Sequence, residues 1–230
     1  MRQRYRRARP VPRPTADFES TWELLPDEDY VDPDWHEQRH FQRSQQIIVE
    51  FIEAMVGNGG LSLLDVPCGN GRLYRGLQRA GLLDKVEYRG ADITTKLLDA
   101  VRTLHPEVQV DQASAEHLPY ADNSFDVVVT QHLIRHLPYY EDAVRELLRV
   151  SRRIVLIAEK DIGDERDELG HHYNEHHRSR YWVNNYEPTR LKQFARNNGA
   201  AIAFMLNNPR SDEPDGQVVY GFVKRGGVTL

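Results

Sequence analysis

The chain has 230 residues, 40% of them hydrophobic, which suffices for one domain with a substantial core. No apolar run reaches the roughly 18 residues that span a bilayer, and the arginine-rich start lacks the apolar stretch of a secretory signal. With Cys68 the only cysteine, no intramolecular disulfide can form, and a reducing cytoplasmic setting is expected. The net charge of −5 is uneven: residues 1–14 carry six arginines and no acid, so the rest carries about −11. An arm of that composition, broken by Pro10, Pro12 and Pro14, cannot build a core, and residues 1–20 are read as a disordered basic arm. It is either an incidental tail or a contact to phosphate groups. The acidic body argues against a broad nucleic-acid surface.

Residues 21–60 are read as an N-terminal cap and helix. Asp34 is a plausible N-cap, and Ile47, Ile48, Phe51, Ile52 and Met55 recur at helical spacing up to about Val56, where Gly57, Gly59 and Gly60 stop the helix. From 61 to 230 strand and helix patterns alternate. Strands are expected at Ser62–Asp65, Val86–Ala91, Val108–Gln112, Phe125–Thr130 and Ile154–Ala158. Helices are expected at Asn70–Ala80, Thr94–Leu104 (with Leu97, Leu98, Val101 and Leu104 on one face) and Tyr139–Val150. Residues 161–186 break the pattern as a polar, His-rich insertion. Pro188–Asn198 then reads as a helix, and Ala200–Leu206 and Gln217–Val223 as an antiparallel edge pair. Uninterrupted apolar strands between amphipathic helices predict an α/β fold: a Rossmann-like, seven-stranded, mostly parallel sheet with an antiparallel final strand and helices on both faces.

Ligands of open α/β sheets bind beyond the carboxyl ends of the strands. The first strand there delivers Asp65 and the loop Val66-Pro67-Cys68-Gly69-Asn70-Gly71-Arg72, whose glycines let backbone approach a ligand and whose following helix presents its N-terminus. The second delivers Asp92, 27 positions after Asp65. Its carboxylate can accept both hydroxyls of a ribose, with Ile93 against a purine face. Asp92 taken alone reads equally well as a helix cap. The third strand leads into Ser114-Ala115-Glu116, suited to an exocyclic amine, although Glu116 alone would pass for a solvated acid. The fourth leads into Thr130-Gln131-His132.

These segments together resemble the class I S-adenosylmethionine-dependent methyltransferases of the small-molecule type, over roughly residues 45–225. The family pattern D-x-G-x-G-x-G is similar to Asp65-Val66-Pro67-Cys68-Gly69-Asn70-Gly71, with Pro67 in place of the first glycine. The stretch from Leu118 to Asp126 (LPYADNSFD) resembles the family's LPF-x-D-x-SFD, the most specific match in the chain. The resemblance implies S-adenosyl-L-methionine as cofactor. Asp65, Pro67, Gly69, Gly71, Arg72, Asp92, Ile93, Ser114, Ala115, Glu116 and Gln131 would line its site. Two departures stand out: Ser114 where the family often has an acid, and Arg149-Val150-Ser151-Arg152-Arg153 where it has a Pro-Gly-Gly turn.

For the acceptor, His132 and His136, one helical turn apart after strand four, are the candidate catalytic bases, which favours oxygen over nitrogen. Packing against neighbours is the bland alternative for both. No nucleophilic cysteine or Asp/Asn-Pro-Pro-aromatic motif follows strand four. In the insertion, His172 and His176 would share a helix face and, with His171 and His177, have metal-like spacing, but no third ligand is fixed, so no metal is assigned. A nicotinamide-dependent fold is disfavoured because Gly69-Asn70-Gly71-Arg72-Leu73-Tyr74 lacks the third small residue of G-x-G-x-x-G/A. The expected partner is a small-molecule substrate. An inactive cofactor-binding subunit, a nucleic-acid methyltransferase using the Arg arm, and a homodimer stay open.

Overall fold

The computed structural model describes residues 39–57, 59–160, 168–174, 179–186, 188–208 and 217–225. The Arg-rich arm, the acidic connection after it and the helix start at Asp34 lie outside the described residues. The first described element, α1 (Arg39–Val56), is followed by β1 (Leu61–Asp65), α2 (Arg72–Arg79), β2 (Val86–Asp92), α3 (Thr95–Leu104), β3 (Gln109–Gln112) and β4 (Phe125–Gln131). A 3₁₀ turn at Ile134–His136 leads to α4 (Glu141–Val150) and β5 (Ser151–Lys160). Then come β6 (Glu168–Asn174), β7 (Ser179–Asn185), α5 (Pro188–Asn197), β8 (Ala200–Asn208) and β9 (Gln217–Lys224).

Seven strands form one sheet in the order β3-β2-β1-β4-β5-β9-β8. β1, β2, β3, β4 and β5 pair in parallel, and β9 runs antiparallel to both neighbours. The expected fold class holds. The terminal pair forms one edge of the sheet and is antiparallel as expected, with β9 inserted between β5 and the outer β8. Strand order reverses between β1 and β4, which puts a crevice at their carboxyl ends.

Each face has its own apolar layer. On one, Ile48, Ile52 and Val56 of α1 and Leu73 and Leu77 of α2 pack on Leu63, Val127, Val129 and Leu156. On the other, Val144, Leu147 and Leu148 of α4 and Leu191 and Ala195 of α5 pack on Leu64, Val128, Val155 and Ile157. Strands covered on both faces must be apolar throughout, which explains the unbroken run in β4. On α3 the expected stripe is narrower: Leu98 and Val101 are buried, whereas Leu104 is 44% exposed at the helix end. Helix α2 starts two residues later than expected because Gly71, its N-cap, has φ 82°. An L side chain there would strain the backbone.

The 161–186 insertion holds a two-stranded antiparallel hairpin, β6 with β7, pairing His171 with Trp182 and His172 with Tyr181. His171 and His172 thus stand on a strand, so His172 is not on a helix face. His176 and His177 lie outside the described residues.

One close approach locks the carboxyl edge. A Cβ at Gly90 would fall 2.9 Å from Cys68 Sγ and 3.0 Å from both Cys68 Cβ and Val110 Cγ1. The buried Cys68 is therefore a packing residue of the loop after β1. Gly90→Ala is expected to cost about 1–3 kcal/mol through overpacking. Urea unfolding should show a lower midpoint at an unchanged slope.

Candidate functional site

Three strands end in a buried acid at the same edge: Asp65 on β1, Asp92 on β2 and Glu159 near the end of β5, at 1%, 3% and 0% exposure. A buried carboxylate is costly unless hydrogen-bonded, so the partners of each define the site. Asp92 accepts the Gly69 amide through Oδ2 (2.9 Å) and the Thr94 amide through Oδ1 (2.9 Å). It thereby ties the β1 loop to the start of α3. The Cys68 amide donates to Ala91 O (2.8 Å), and the Ala113 amide to Asp92 O (2.9 Å), bringing the β3 end alongside. Burial raises the Asp92 carboxyl above its ordinary range, with these amides working against it.

Asp65 has fewer partners. Tyr88 donates its hydroxyl to Oδ2 (2.8 Å), and Oδ1 is buried with no hydrogen bond among the described residues. Burial pushes this carboxyl up to about 7, with Tyr88 and the Arg72 charge pulling down and Asp92 pushing up. Arg72, the first residue of α2, donates to Gln131 Oε1 at the end of β4 (2.7 Å). Its own buried guanidinium is lowered to about 10 by desolvation, with Asp65 opposing. On the far side Gln45 of α1 donates to Arg72 O (2.7 Å).

The loop from Pro67 to Arg72 therefore runs between Asp65, Asp92 and Gln131. Val66–Pro67 is cis, and Gly69 (φ 53°) takes a left-handed conformation. Ile93 follows Asp92, partly buried. Ser114, Ala115 and Glu116 form a tight turn: the His117 amide donates to Ser114 O (3.0 Å) and the Glu116 amide to Ser114 Oγ (3.3 Å). All eleven residues assigned to the cofactor thus lie on the loops and strand ends of one edge.

His132 follows Gln131 with φ 58°, left-handed for a side chain that rarely adopts it, and its amide donates to Ala158 O (2.8 Å). His136 ends the 3₁₀ turn. His132 precedes the turn that His136 ends, so the two do not share a helix and the one-helical-turn relation is corrected. Both are partly exposed. The turn is pinned from β5: the Ile134 amide donates to Glu159 Oε1 (2.6 Å). The hairpin strand β7 packs against the same turn.

Sequence reasoning missed Tyr88, Glu159 and the Glu146–Arg149 pair. Glu159 carried the signal that exposed Asp65 and Asp92, an acid closing an apolar strand. Arg149 stands where a Pro-Gly-Gly turn was looked for. It grips Glu146 (2.6 and 2.8 Å), Leu118 O (3.0 Å), Tyr120 O (2.8 Å) and Asp122 (2.8 Å), while Glu146 accepts the Leu118 amide (2.9 Å). These carboxylates raise the Arg149 guanidinium above its ordinary value. The arginine clamps the LPYAD stretch that follows the Ser114–Glu116 turn. Among the described residues no cluster of His, Cys, Asp and Glu fits a metal ion. A surface depression lies at the opposite, amino-terminal edge, around Ser62, Lys85 and Arg152.

A Rossmann-like sheet with an acid ending β1, a Gly loop and an acid ending β2 defines a class of α/β domain that holds a nucleotide-like ligand at the switch point. Residues 64–156 match the family model described as a methyltransferase domain. Over that stretch the chain is similar to methyltransferase domains, as the motif resemblance implied. It is similar to a methyltransferase (GfsG) of Streptomyces halstedii, 30% identical over 117 residues, covering 48% of this chain and 41% of that protein. It is also similar to a demethylmenaquinone methyltransferase of Lactobacillus johnsonii, 32% identical over 110 residues, covering 45% of this chain and 44% of that protein. The chain thus spans less than half the length of these relatives. In shape it matches 1,6-didemethyltoxoflavin-N1-methyltransferase of Burkholderia thailandensis, solved with bound 1,6-didemethyltoxoflavin and S-adenosylhomocysteine, with a TM-score of 0.62 at 16% identity over 94% of both chains. No described helix is long and apolar enough to cross a membrane.

The raised Asp65 carboxyl has a stability consequence. Between about pH 4 and pH 7 the folded chain holds a proton that an unfolded aspartate has released. The contribution is full below about pH 4 and is lost as pH rises through about 7. Unfolding free energies measured from pH 4 to 8 should fall more steeply for wild type than for Asp65→Asn, which cannot ionise.

Proposed function

We propose that this protein transfers the methyl group of S-adenosyl-L-methionine to an oxygen of a small-molecule acceptor. The observation that carries the reading is the placement of Asp65 and Asp92 at adjacent strand ends with the Gly69–Arg72 backbone between them. Such a ligand brings a ribose diol, an ammonium group and a carboxylate. Asp92 is held at the end of β2 by the Gly69, Ile93 and Thr94 amides and the Thr94 side chain, and its acceptor-only carboxylate would take the two hydroxyls. Asp65 offers a buried oxygen with no hydrogen bond among the described residues. Arg72 is a fixed cation beside it for a carboxylate. Ile93 and the Ser114–Glu116 turn would take the adenine. The donor set fits the cofactor.

When bound, S-adenosylmethionine supplies an electrophilic methyl group on a sulfonium. The chain's own residues have to align an acceptor in line with it, exclude water and take up a proton. An alcohol or phenol loses a proton on methylation, and His132, held by the Ala158 carbonyl, and His136 on the pinned 3₁₀ turn are the proposed bases. Oxygen is preferred to nitrogen on that ground. The relatives' names, in which quinone biosynthesis recurs, support a small acceptor in the same way. The hairpin β6–β7 against this turn would wall the acceptor side.

Calorimetric titration with S-adenosylmethionine and S-adenosylhomocysteine tests the cofactor first. Micromolar binding is expected, and Asp92→Ala should weaken it at least tenfold, about 1.4 kcal/mol. No binding by wild type would overturn the reading. With an acceptor found by screening, His132→Gln should lower kcat about 10²-fold or more and abolish the acidic limb of the pH–rate profile, while cofactor affinity stays put. Tight cofactor binding with no product from any acceptor would instead favour a subunit that supports a partner.

A further inference from the structure

We propose, resting on that reading of the site, that Tyr88 is a positioning residue for the cofactor's amino group: its hydroxyl holds one oxygen of Asp65 and leaves the other for the ligand's ammonium.

The sheet register makes this possible. β1 and β2 pair in parallel with Leu63 opposite Tyr88 and Asp65 opposite Gly90. Alternation then puts Tyr88, Gly90 and Asp65 on one face of the sheet. On that shared face the Tyr88 hydroxyl reaches Asp65 Oδ2 at 2.8 Å. The ring itself is set by an edge contact with Tyr74, centroids 5.3 Å apart at 65°. With Oδ2 so engaged, Oδ1 is the buried oxygen that has no hydrogen bond among the described residues.

A buried carboxylate with one oxygen fixed and one open is matched by a primary ammonium, which brings charge and donors together. The groups around Asp65 come from three elements: Tyr88 and Asp92 on β2, Arg72 on α2, and Cys68 in the loop. Around Tyr88 stand Asp65, Cys68 and Arg75. Asp92 and burial oppose ionisation of Asp65, whereas Tyr88 and Arg72 favour it. Removing the Tyr88 hydroxyl takes away a donor to the charged form, so the carboxyl must protonate at higher pH. A hydroxyl serving only to satisfy a buried oxygen would have no bearing on which part of a ligand binds.

The test compares two ligands of the full chain. S-adenosylhomocysteine carries the amino group, and 5′-methylthioadenosine keeps the nucleoside but lacks the amino-acid portion. For wild type, affinity for S-adenosylhomocysteine should fall several-fold from pH 8 to pH 6 as Asp65 takes up a proton. Affinity for 5′-methylthioadenosine should stay flat. Tyr88→Phe, which keeps the ring, should weaken S-adenosylhomocysteine about tenfold at pH 7. It should also move the midpoint of the pH dependence upward and leave 5′-methylthioadenosine unchanged, which shows that the site is still folded. Equal weakening of both ligands, or an unmoved midpoint, would overturn the role given to Tyr88. Binding of neither ligand by wild type would remove the cofactor reading, and this inference with it.

Discussion

A carboxylate buried at the end of β2 holds the functional edge together. Asp92 uses one oxygen for the Gly69 amide and the other for the Thr94 amide, so the loop after β1 and the first turn of α3 hang from one side chain. The cost of burying that charge is offset by charge-assisted hydrogen bonds to backbone. Without Asp92 the loop would lose a fixed anchor and two buried amides their acceptor. The Gly69–Arg72 segment is shaped by the same side chain that closes the end of β2.

Around this anchor the other strand ends follow one plan. Each of β1, β2 and β5 carries a buried acid at or near its carboxyl end, and each acid holds a different partner: Tyr88, the two amides, and the Ile134 amide. A parallel sheet makes such convergence inevitable, since all its carboxyl ends face one way. Glu159 fixes the turn that carries His136 and follows His132. Arg149 and Glu146 fix the stretch after the adenine-side turn. The ligand-facing loops are thus supported from the layer behind, where α4 and β5 are rigidly packed.

Much of this plan was legible in the chain because strand and helix leave different periods. The apolar runs of β1, β4 and β5 were readable since both faces are covered, and an acid after such a run marked Asp65 and Asp92. Where the local signal was ambiguous the reading failed. His172 and His176 have helical spacing, but His172 pairs in a hairpin with Tyr181. His132 and His136 also have it, but His132 is itself left-handed and His136 ends a 3₁₀ turn. Leu104 fits an apolar stripe yet sits past the packed part of α3.

By itself the sequence determined the alternation of elements, the sheet they build and the Gly loop between two acids, because each rests on residues near one another in the chain. It also carried the motif resemblance. Tertiary structure alone decided which acid is satisfied and which is left with an open oxygen. That depends on register: Leu63 opposite Tyr88 brings a phenol to Asp65 across 23 residues of chain. No local pattern encodes such a pairing, since a shift of one residue between β1 and β2 would put Tyr88 on the other side of the sheet.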